Sequence, residues 1–386
     1  MSESVVCLFV LDKKMKFAFC LFVYFPFGGL QRDFLRIANV CLARGHSVDV
    51  YTWDWQGEMP DDLQVSILPV RGLTNHRQRE SFVERLGECL AERQYDAVVG
   101  FNKMPFLDVY FAADTCYVER ASERSIFYRM TPRCRSNLRL ERTVYDKQSK
   151  TQILAISNYE KALFMKHYGT DEKRFHFLPP GIARDRVAPP NSAEIRFELR
   201  RELAIGQDEN IVLMVGTDYK RKGVDRAIRA MSSLPQDLYK NTFLLTVGKD
   251  KIKPFRRLAR RLGVEDQIRF LGGREDVPRF LVASDILLHP AYEENTGTVL
   301  IEALASNLPV LVTEVCGYSF HIERAGAGEV VPAPFKQGTL NELLAFMLTS
   351  EKKDQWKNNA REYVANNDIF SLSEKAADII EQVAAC

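Results

Sequence analysis

Glu294 and Glu302 bracket the run Glu294-Asn295-Thr296-Gly297-Thr298-Val299-Leu300-Ile301-Glu302. Thr298 to Ala305 reads as a helix, which at about 1.5 Å per residue sets Glu302 roughly 12 Å along the axis from Glu294. At that separation one carboxylate can grip a hexose and the other a ribose. The unpaired N–H groups and positive dipole end of the helix start between them suit a diphosphate. Upstream, Lys220-Arg221-Lys222-Gly223 puts cations on a second strand-to-helix loop. Both features anticipate a negatively charged leaving group.

Other candidates carry a plainer alternative. Gly28-Gly29 follows the first apolar stretch, where close backbone approach by a phosphate needs residues without side chains; the same pair also serves a tight turn at positive φ. Asp33 falls in the first turn of the following helix, as a dipole partner or as a residue facing a cleft. Arg221 and Lys222 are either a phosphate clamp or a solvated pair. His289-Pro290 closes the strand before Glu294, and a lone histidine there is more often structural than catalytic. Neither G-x-x-x-x-G-K-[ST] nor the full G-x-G-x-x-G occurs, which argues against an ATPase and a dehydrogenase. No Asp-x-Asp is present to hold a magnesium diphosphate; no metal is expected, and arginine and lysine take the leaving group's charge. Glu294 and Glu302 are too far apart for retaining two-carboxylate hydrolysis.

The elements that must position these residues alternate strand and helix. Lys16 to Tyr24 is apolar and aromatic like a buried parallel strand, Leu30 to Arg44 an amphipathic helix, and Ser47 to Trp53 the next strand. Strands are predicted at Val65 to Val70, Ala97 to Phe101, Val109 to Ala112, Ile153 to Ser157 and Phe175 to Leu178. Pro179-Pro180-Gly181-Ile182 breaks the series. A second series has strands at Ile211 to Val215, Thr242 to Val247, Ile268 to Leu271, Ile286 to Leu288 and Val310 to Thr313. Its helices are Asp225 to Met231, Lys253 to Leu262, Val277 to Ala283 and Thr298 to Ala305. The implied fold is α/β, with two doubly wound parallel sheets whose carboxyl edges face a cleft. The expected domains are 1–180 and 196–365, joined by a linker at 181–195, with a final helix from Leu372 to Ala384 crossing back to the first domain from 366–386.

A chain of 386 residues with 46% hydrophobic content fits two globular domains. No stretch reaches the roughly 18 apolar residues of a membrane span, and no signal peptide is recognisable. Met15 is a candidate true start, with residues 1–14 an extension. The eight cysteines are dispersed without a Cys-x-x-Cys pair, which fits a reducing cytosol. A net charge of +2 argues against nucleic acid as a partner. Locally, 119–150 carries Arg120, Arg124, Arg129, Arg133, Arg135, Arg139, Arg142 and Lys147 among Ile126, Phe127, Tyr128, Met130, Leu138 and Leu140. Such a helix suits an anionic membrane surface, at about 1 kcal/mol per nearby charge, or is simply solvated.

Tyr24-Phe25-Pro26-Phe27-Gly28-Gly29-Leu30-Gln31-Arg32-Asp33, Gly100-Phe101-Asn102-Lys103-Met104-Pro105, Leu178-Pro179-Pro180-Gly181-Ile182, Arg221-Lys222-Gly223-Val224-Asp225-Arg226 and His289-Pro290-Ala291-Tyr292 closely resemble the lipopolysaccharide core glucosyltransferase I family of Gram-negative bacteria. Glu294 through Glu302 is similar to the E-x7-E element of retaining glycosyltransferase family 4, whose members adopt the GT-B fold. The resemblance runs from Met15 almost to the C-terminus. It implies metal-independent, retaining transfer of glucose from UDP-glucose to an inner-core heptose of lipopolysaccharide, on the cytoplasmic face of the inner membrane. By the same resemblance Glu294 binds the transferred sugar, Glu302 the ribose, and Arg221 and Lys222 the diphosphate. Gly28 and Gly29 approach the diphosphate, and Asn295, Thr296, Gly297 and Thr298 offer backbone donors. Arg274 lies near the uracil and Arg186 near the cleft. Asp33, Asn102, Lys103 and Asp114 match acceptor-side positions. Asn295-Thr296 departs from the small residues expected after the first glutamate, which leaves the donor hexose open. The alternatives are a GT-B hexosyltransferase with another donor or acceptor, and a UDP-sugar epimerase.

Overall fold

The computed structural model describes residues 14–26 and 28–385. The expected extension, apart from Lys14, lies outside the described residues. The chain forms two compact units, the first running through Gly181 and resuming at Ser371, the second Ile182–Phe370.

In the first unit the strands are β1 (Lys16–Cys20), β2 (Val23–Tyr24), β3 (Ser47–Thr52), β4 (Asp54–Trp55), β5 (Gln64–Ile67), β6 (Ala97–Gly100), β7 (Val109–Ala112), β8 (Gln152–Ala155) and β9 (Phe175–Phe177). Seven of them form a parallel sheet in the order β5-β3-β1-β6-β7-β8-β9, and β2 pairs with β4. Phe17 to Cys20 are fully buried, as expected of a strand covered on both faces. The predicted strand Lys16 to Tyr24 breaks after Cys20. The Phe22 N–H there donates to Asn102 Oδ1 at 2.8 Å, and Val23 and Tyr24 pair instead with Asp54 and Trp55.

Helices α1 (Gly29–Ala43) and α2 (Asn75–Ala91) flank this sheet. The segment 119–150 is not the single helix expected: it divides into α3 (Tyr117–Ser122), α4 (Ile126–Arg129) and α5 (Pro132–Tyr145). The Ser125 and Thr131 side chains accept from the Tyr128 and Cys134 N–H groups, and Pro132 sits at the start of α5, so each restarts the chain with its own cap. The last helix, Leu372–Ala384, packs on α1. Leu372, Ala376, Ala377 and Ile380 share a core with Phe19, Phe34, Ile37 and Cys41. Arg44 at the end of α1 adds ion pairs to Asp378 and Glu381 at 2.9 and 3.0 Å.

The second unit holds β10 (Asn210–Val215), β11 (Thr242–Val247), β12 (Ile268–Phe270), β13 (Ile286–His289), β14 (Val310–Thr313) and β15 (Gly328–Val331), all parallel in the order β12-β11-β10-β13-β14-β15. β15 lies beyond the strands predicted from sequence; it begins at Gly328, whose φ of 152° and close contact with the Val310 backbone leave no room for a side chain. The strand order reverses between β10 and β13, and in the first sheet between β1 and β6. Loops leaving the carboxyl ends at such a reversal diverge and open a crevice, the usual ligand position in open parallel sheets.

Candidate active site

In the second unit the two loops at the reversal carry the charged residues. The loop after β10 runs from Gly216 to Gly223, and the loop after β13 from Pro290 to Gly297. Gly223 has φ +78°, and a Cβ there would overlap the Pro290 carbonyl oxygen, so the two loops touch backbone to backbone only because this residue lacks a side chain. The Tyr292 N–H donates to Arg221 O at 2.8 Å and fixes the same junction.

This junction sorts three successive cations. Lys220 turns to Asp225 at 2.8 Å and lies over the Tyr292 ring. Lys222 and Arg221 both turn to Glu294: Lys222 Nζ pairs with Oε2, and Arg221 Nη1 lies 3.3 Å from the same oxygen. Gly216 passes 3.1 Å from the Lys222 stem measured from its would-be Cβ, so it leaves space for that stem. The Lys222 and Glu294 side chains are 13% and 11% exposed. Burial pushes the Glu294 carboxyl up, but the adjacent His289 and the charges of Lys222 and Arg221 outweigh it and hold the group well below the usual carboxylate range.

His289, structural on the sequence reading, places its Nε2 3.5 Å from Glu294 Oε2, at the edge of hydrogen-bond reach. Burial and the nearby Lys222 charge lower its pKa, so the ring is neutral near pH 7. Its position at the last residue of β13, five residues before the glutamate, was the only available signal.

Glu294 is tied into its loop by a parallel bridge to Cys316, with the Gly317 N–H donating to Glu294 O at 3.2 Å and the Tyr318 N–H to Thr296 O at 2.9 Å. The helix Thr298–Ala305 then starts at Gly297 in the left-handed region (φ 82°), with no side chain capping it. Asn295, Thr296, Gly297 and Thr298 thus lead into an N-terminus suited to an anion. Glu302 lies on this helix, buried, with Arg186 Nε 3.9 Å from its Oε1. Glu294 and Glu302 therefore sit in separate cationic settings. Arg274 joins neither: it pairs with Asp276 at 2.8 Å beyond the end of β12. Among the described residues no three of His, Cys, Asp and Glu converge as metal ligands.

Six candidates lie in the first unit, Gly28 and Gly29 for the diphosphate and Asp33, Asn102, Lys103 and Asp114 for the acceptor, and the structure does not treat them alike. Gly28 precedes α1 with φ −84°, so positive φ is not its reason for being glycine; a Cβ would collide with the Gln31 side chain. Around Gly29 nothing lies within 4 Å of a would-be Cβ. Asp33 falls in the second turn of α1 rather than the first, because the helix begins at Gly29. Burial pushes its carboxyl up to about 6 against the charges of Arg36 and Arg32. Asn102 bridges β1 and β6 through the Phe22 N–H. Asp114 accepts from the Tyr110 hydroxyl at 3.4 Å. Lys103 is buried, with Nζ 2.5 Å from the fully buried Glu141 and 2.7 Å from Thr115 O, against the Phe164 ring, so its charge neutralises an internal carboxylate.

Residues 27–186 match the model described as Glycosyltransferase Family 4, and residues 195–363 the model described as Glycosyl transferases group 1. The chain is 48% identical over 368 residues to the lipopolysaccharide glucosyltransferase WaaG of Escherichia coli (strain K12), covering 94% of this chain and 98% of that one. It belongs to the WaaG family of glycosyltransferases. A crystal structure of WaaG, a glycosyltransferase involved in lipopolysaccharide biosynthesis, superposes on this glycosyltransferase with a TM-score of 0.88 at 47% identity, covering 94% of this chain and 99% of that one. The Anabaena protein Alr3699/HepE, solved in complex with UDP and glucose, shares the fold at a TM-score of 0.73 and 17% identity, over 95% of this chain and 100% of that one. The fold is GT-B, with both sheets parallel and Rossmann-like. Lys222, Arg221, Glu294 and Glu302 fall in the group 1 match, and Asp33, Asn102, Lys103 and Asp114 in the family 4 match.

Proposed function

We propose that this glycosyltransferase moves glucose from UDP-glucose to an inner-core heptose of lipopolysaccharide, with retention and without a metal. The carrying observation is the convergence of Lys222 and Arg221 on Glu294 at the strand-order reversal. The donor's β-phosphate takes Lys222 and Arg221 as partners, and Glu294 turns to the hydroxyls of the hexose. Glu302 holds the ribose diol with Arg186 beside it, and the start of the helix Thr298–Ala305 receives phosphate oxygens. In the reaction the bond from the anomeric carbon to the phosphate oxygen breaks and its electron pair leaves with UDP. The acceptor hydroxyl bonds to the same face of that carbon, and its proton passes to a phosphate oxygen of the departing group. Charge grows on the diphosphate, where fixed cations and amides stabilise it most. His289 stays neutral and holds the Glu294 carboxylate in place.

The enzyme works on the cytoplasmic side of the inner membrane. Ile126, Phe127 and Met130 are exposed on and after α4, with Phe127 at 81%, among Arg120, Arg124, Arg129, Arg133 and Arg135. In this reading they rest on the anionic surface that displays the acceptor. No helix among the described residues is long and apolar enough to cross a membrane.

Incubation of the purified protein with UDP-[14C]glucose and a heptose-terminated core acceptor tests the reading, with UDP-galactose in parallel. Label entering the acceptor from UDP-glucose supports it. Release of free sugar without acceptor dependence, epimerised donor, or transfer from UDP-galactose alone overturns it.

A further inference from the structure

A cavity of about 320 Å³ opens in the first unit, lined by Phe22, Trp53, Gln78, Arg79 and Asn102 among others. Its place follows from topology. Phe22 follows β1, Trp53 follows β3 and Asn102 follows β6, so the cavity sits at the carboxyl ends of the strands flanking the order reversal of this sheet. The Phe22 N–H to Asn102 Oδ1 bond ties the two sides together. Trp53 stacks on Phe22 with centroids 4.9 Å apart and is braced edge-on by Phe82, which leaves a rigid half-buried indole as one wall.

Arg79 supplies the charge. It is half-buried on α2, with its guanidinium 5.4 Å from the Phe22 ring centroid and Nη1 donating to Asn137 Oδ1 at 2.7 Å. Among the described residues no carboxylate lies within ion-pair distance of it. Asp114 and Arg133 act on it only at longer range and with opposite sign. A planar guanidinium held by an amide on one edge and a ring on one face keeps other N–H donors for a planar or tetrahedral oxyanion. The side chains of Asn75 and Gln78 on the same wall, and the Trp53 indole N–H, make no hydrogen bond within the protein among the described residues. An aromatic wall, open amides and a guanidinium without a counter-ion together describe a sugar ring carrying an anionic group.

We propose that this cavity is an acceptor subsite for an anionic sugar substituent, a phosphate or a carboxylate, with Arg79 recognising the oxyanion and Trp53 and the amides the ring. It rests on the glycan-acceptor reading above. Asn102 positions the subsite through the Phe22 backbone.

The test measures kcat/KM for UDP-[14C]glucose transfer to three core acceptors: intact, dephosphorylated with aqueous hydrogen fluoride, and carboxyl-reduced. Each is assayed with the wild type, Arg79→Gln and Arg79→Lys. Losing a charged hydrogen bond predicts about a 10- to 100-fold fall for whichever modified acceptor lacks the recognised group, mainly through KM. Arg79→Gln falls by the same factor on intact acceptor and shows no further fall on that modified one, as expected when both partners of one interaction are removed. Arg79→Lys recovers part of the loss. A uniform fall of Arg79→Gln on every acceptor, or equal use of all three acceptors by the wild type, overturns the proposal while leaving the transferase reading intact. Absence of transfer from the wild type to any acceptor defeats the transferase reading itself. UDP-glucose affinity of the variant, measured by calorimetry, separates misfolding from lost recognition.

Discussion

Replacing Lys222 by Ala probes the centre of the site. The Lys222 and Glu294 side chains are nearly buried and in direct contact, and at an effective dielectric near 20 a close pair of unit charges attracts by about 4 kcal/mol or more. Removing one partner of a buried pair typically costs about 3–5 kcal/mol. Arg221 still faces Glu294 Oε2 at 3.3 Å, which brings the expected stability loss down to about 2 kcal/mol, within what a folded domain tolerates. The catalytic loss is larger in effect: one preorganised group aimed at growing charge is worth about 10²–10³ in turnover. Saturating UDP-[14C]glucose transfer therefore drops by that factor while circular dichroism still reports a folded protein.

The same substitution has a pH signature. Glu294 is held below its ordinary value of 4.5, so its stabilising contribution is complete above that pH and is lost as pH falls through the depressed folded value. Without Lys222 the folded value moves back up. The stability gap between wild type and Lys222→Ala in urea titrations is then full at pH 7 and narrows on acidification below about 4.5. Near-normal transfer by the variant, or a gap that ignores pH, refutes the assignment.

Gly223→Ala forces a side chain into the Pro290 carbonyl at φ +78° and is expected to lower the urea midpoint and transfer together, with a cost of about 2 kcal/mol or more; an unchanged midpoint shows that the two loops do not depend on this contact. Lys103→Met leaves Glu141 charged in the interior with, among the described residues, the Tyr117 and Val118 N–H groups and the Tyr168 hydroxyl, and is expected to cost about 3–5 kcal/mol in urea unfolding with UDP-glucose affinity unchanged. Undiminished stability with a raised acceptor KM places Lys103 on the acceptor side. Burial raises Asp33 to about 6, so the folded chain binds its proton more tightly than the unfolded chain and the charged form costs stability above that pH. Asp33→Asn is accordingly more stable than wild type at pH 7.5, with the gain vanishing near pH 4, and coincident melting curves at pH 7.5 count against that burial.

Local pattern determined much by itself. The helices Thr298–Ala305 and Leu372–Ala384 and the strands Thr242–Val247 and Val310–Thr313 have the bounds read from sequence, because apolar runs between glycine, proline and polar breaks carry their own limits. Glu294, Arg221 and Lys222 were legible as candidates because each lies on a loop joining a buried strand to a helix. Tertiary structure alone decided which charges meet. Lys222 and Glu294 are 72 positions apart and come together because β13 inserts beside β10, a pairing that strand composition does not encode. The same adjacency brings the neutral His289 to Glu294. Lys103 shows the same dependence: its motif placed it at a strand end like a ligand residue, and Glu141, 38 positions on, is buried against it, because a carboxylate in the interior demands the nearest cation. Periodicity reports which face a residue prefers; only the folded chain reports which partner desolvation leaves it.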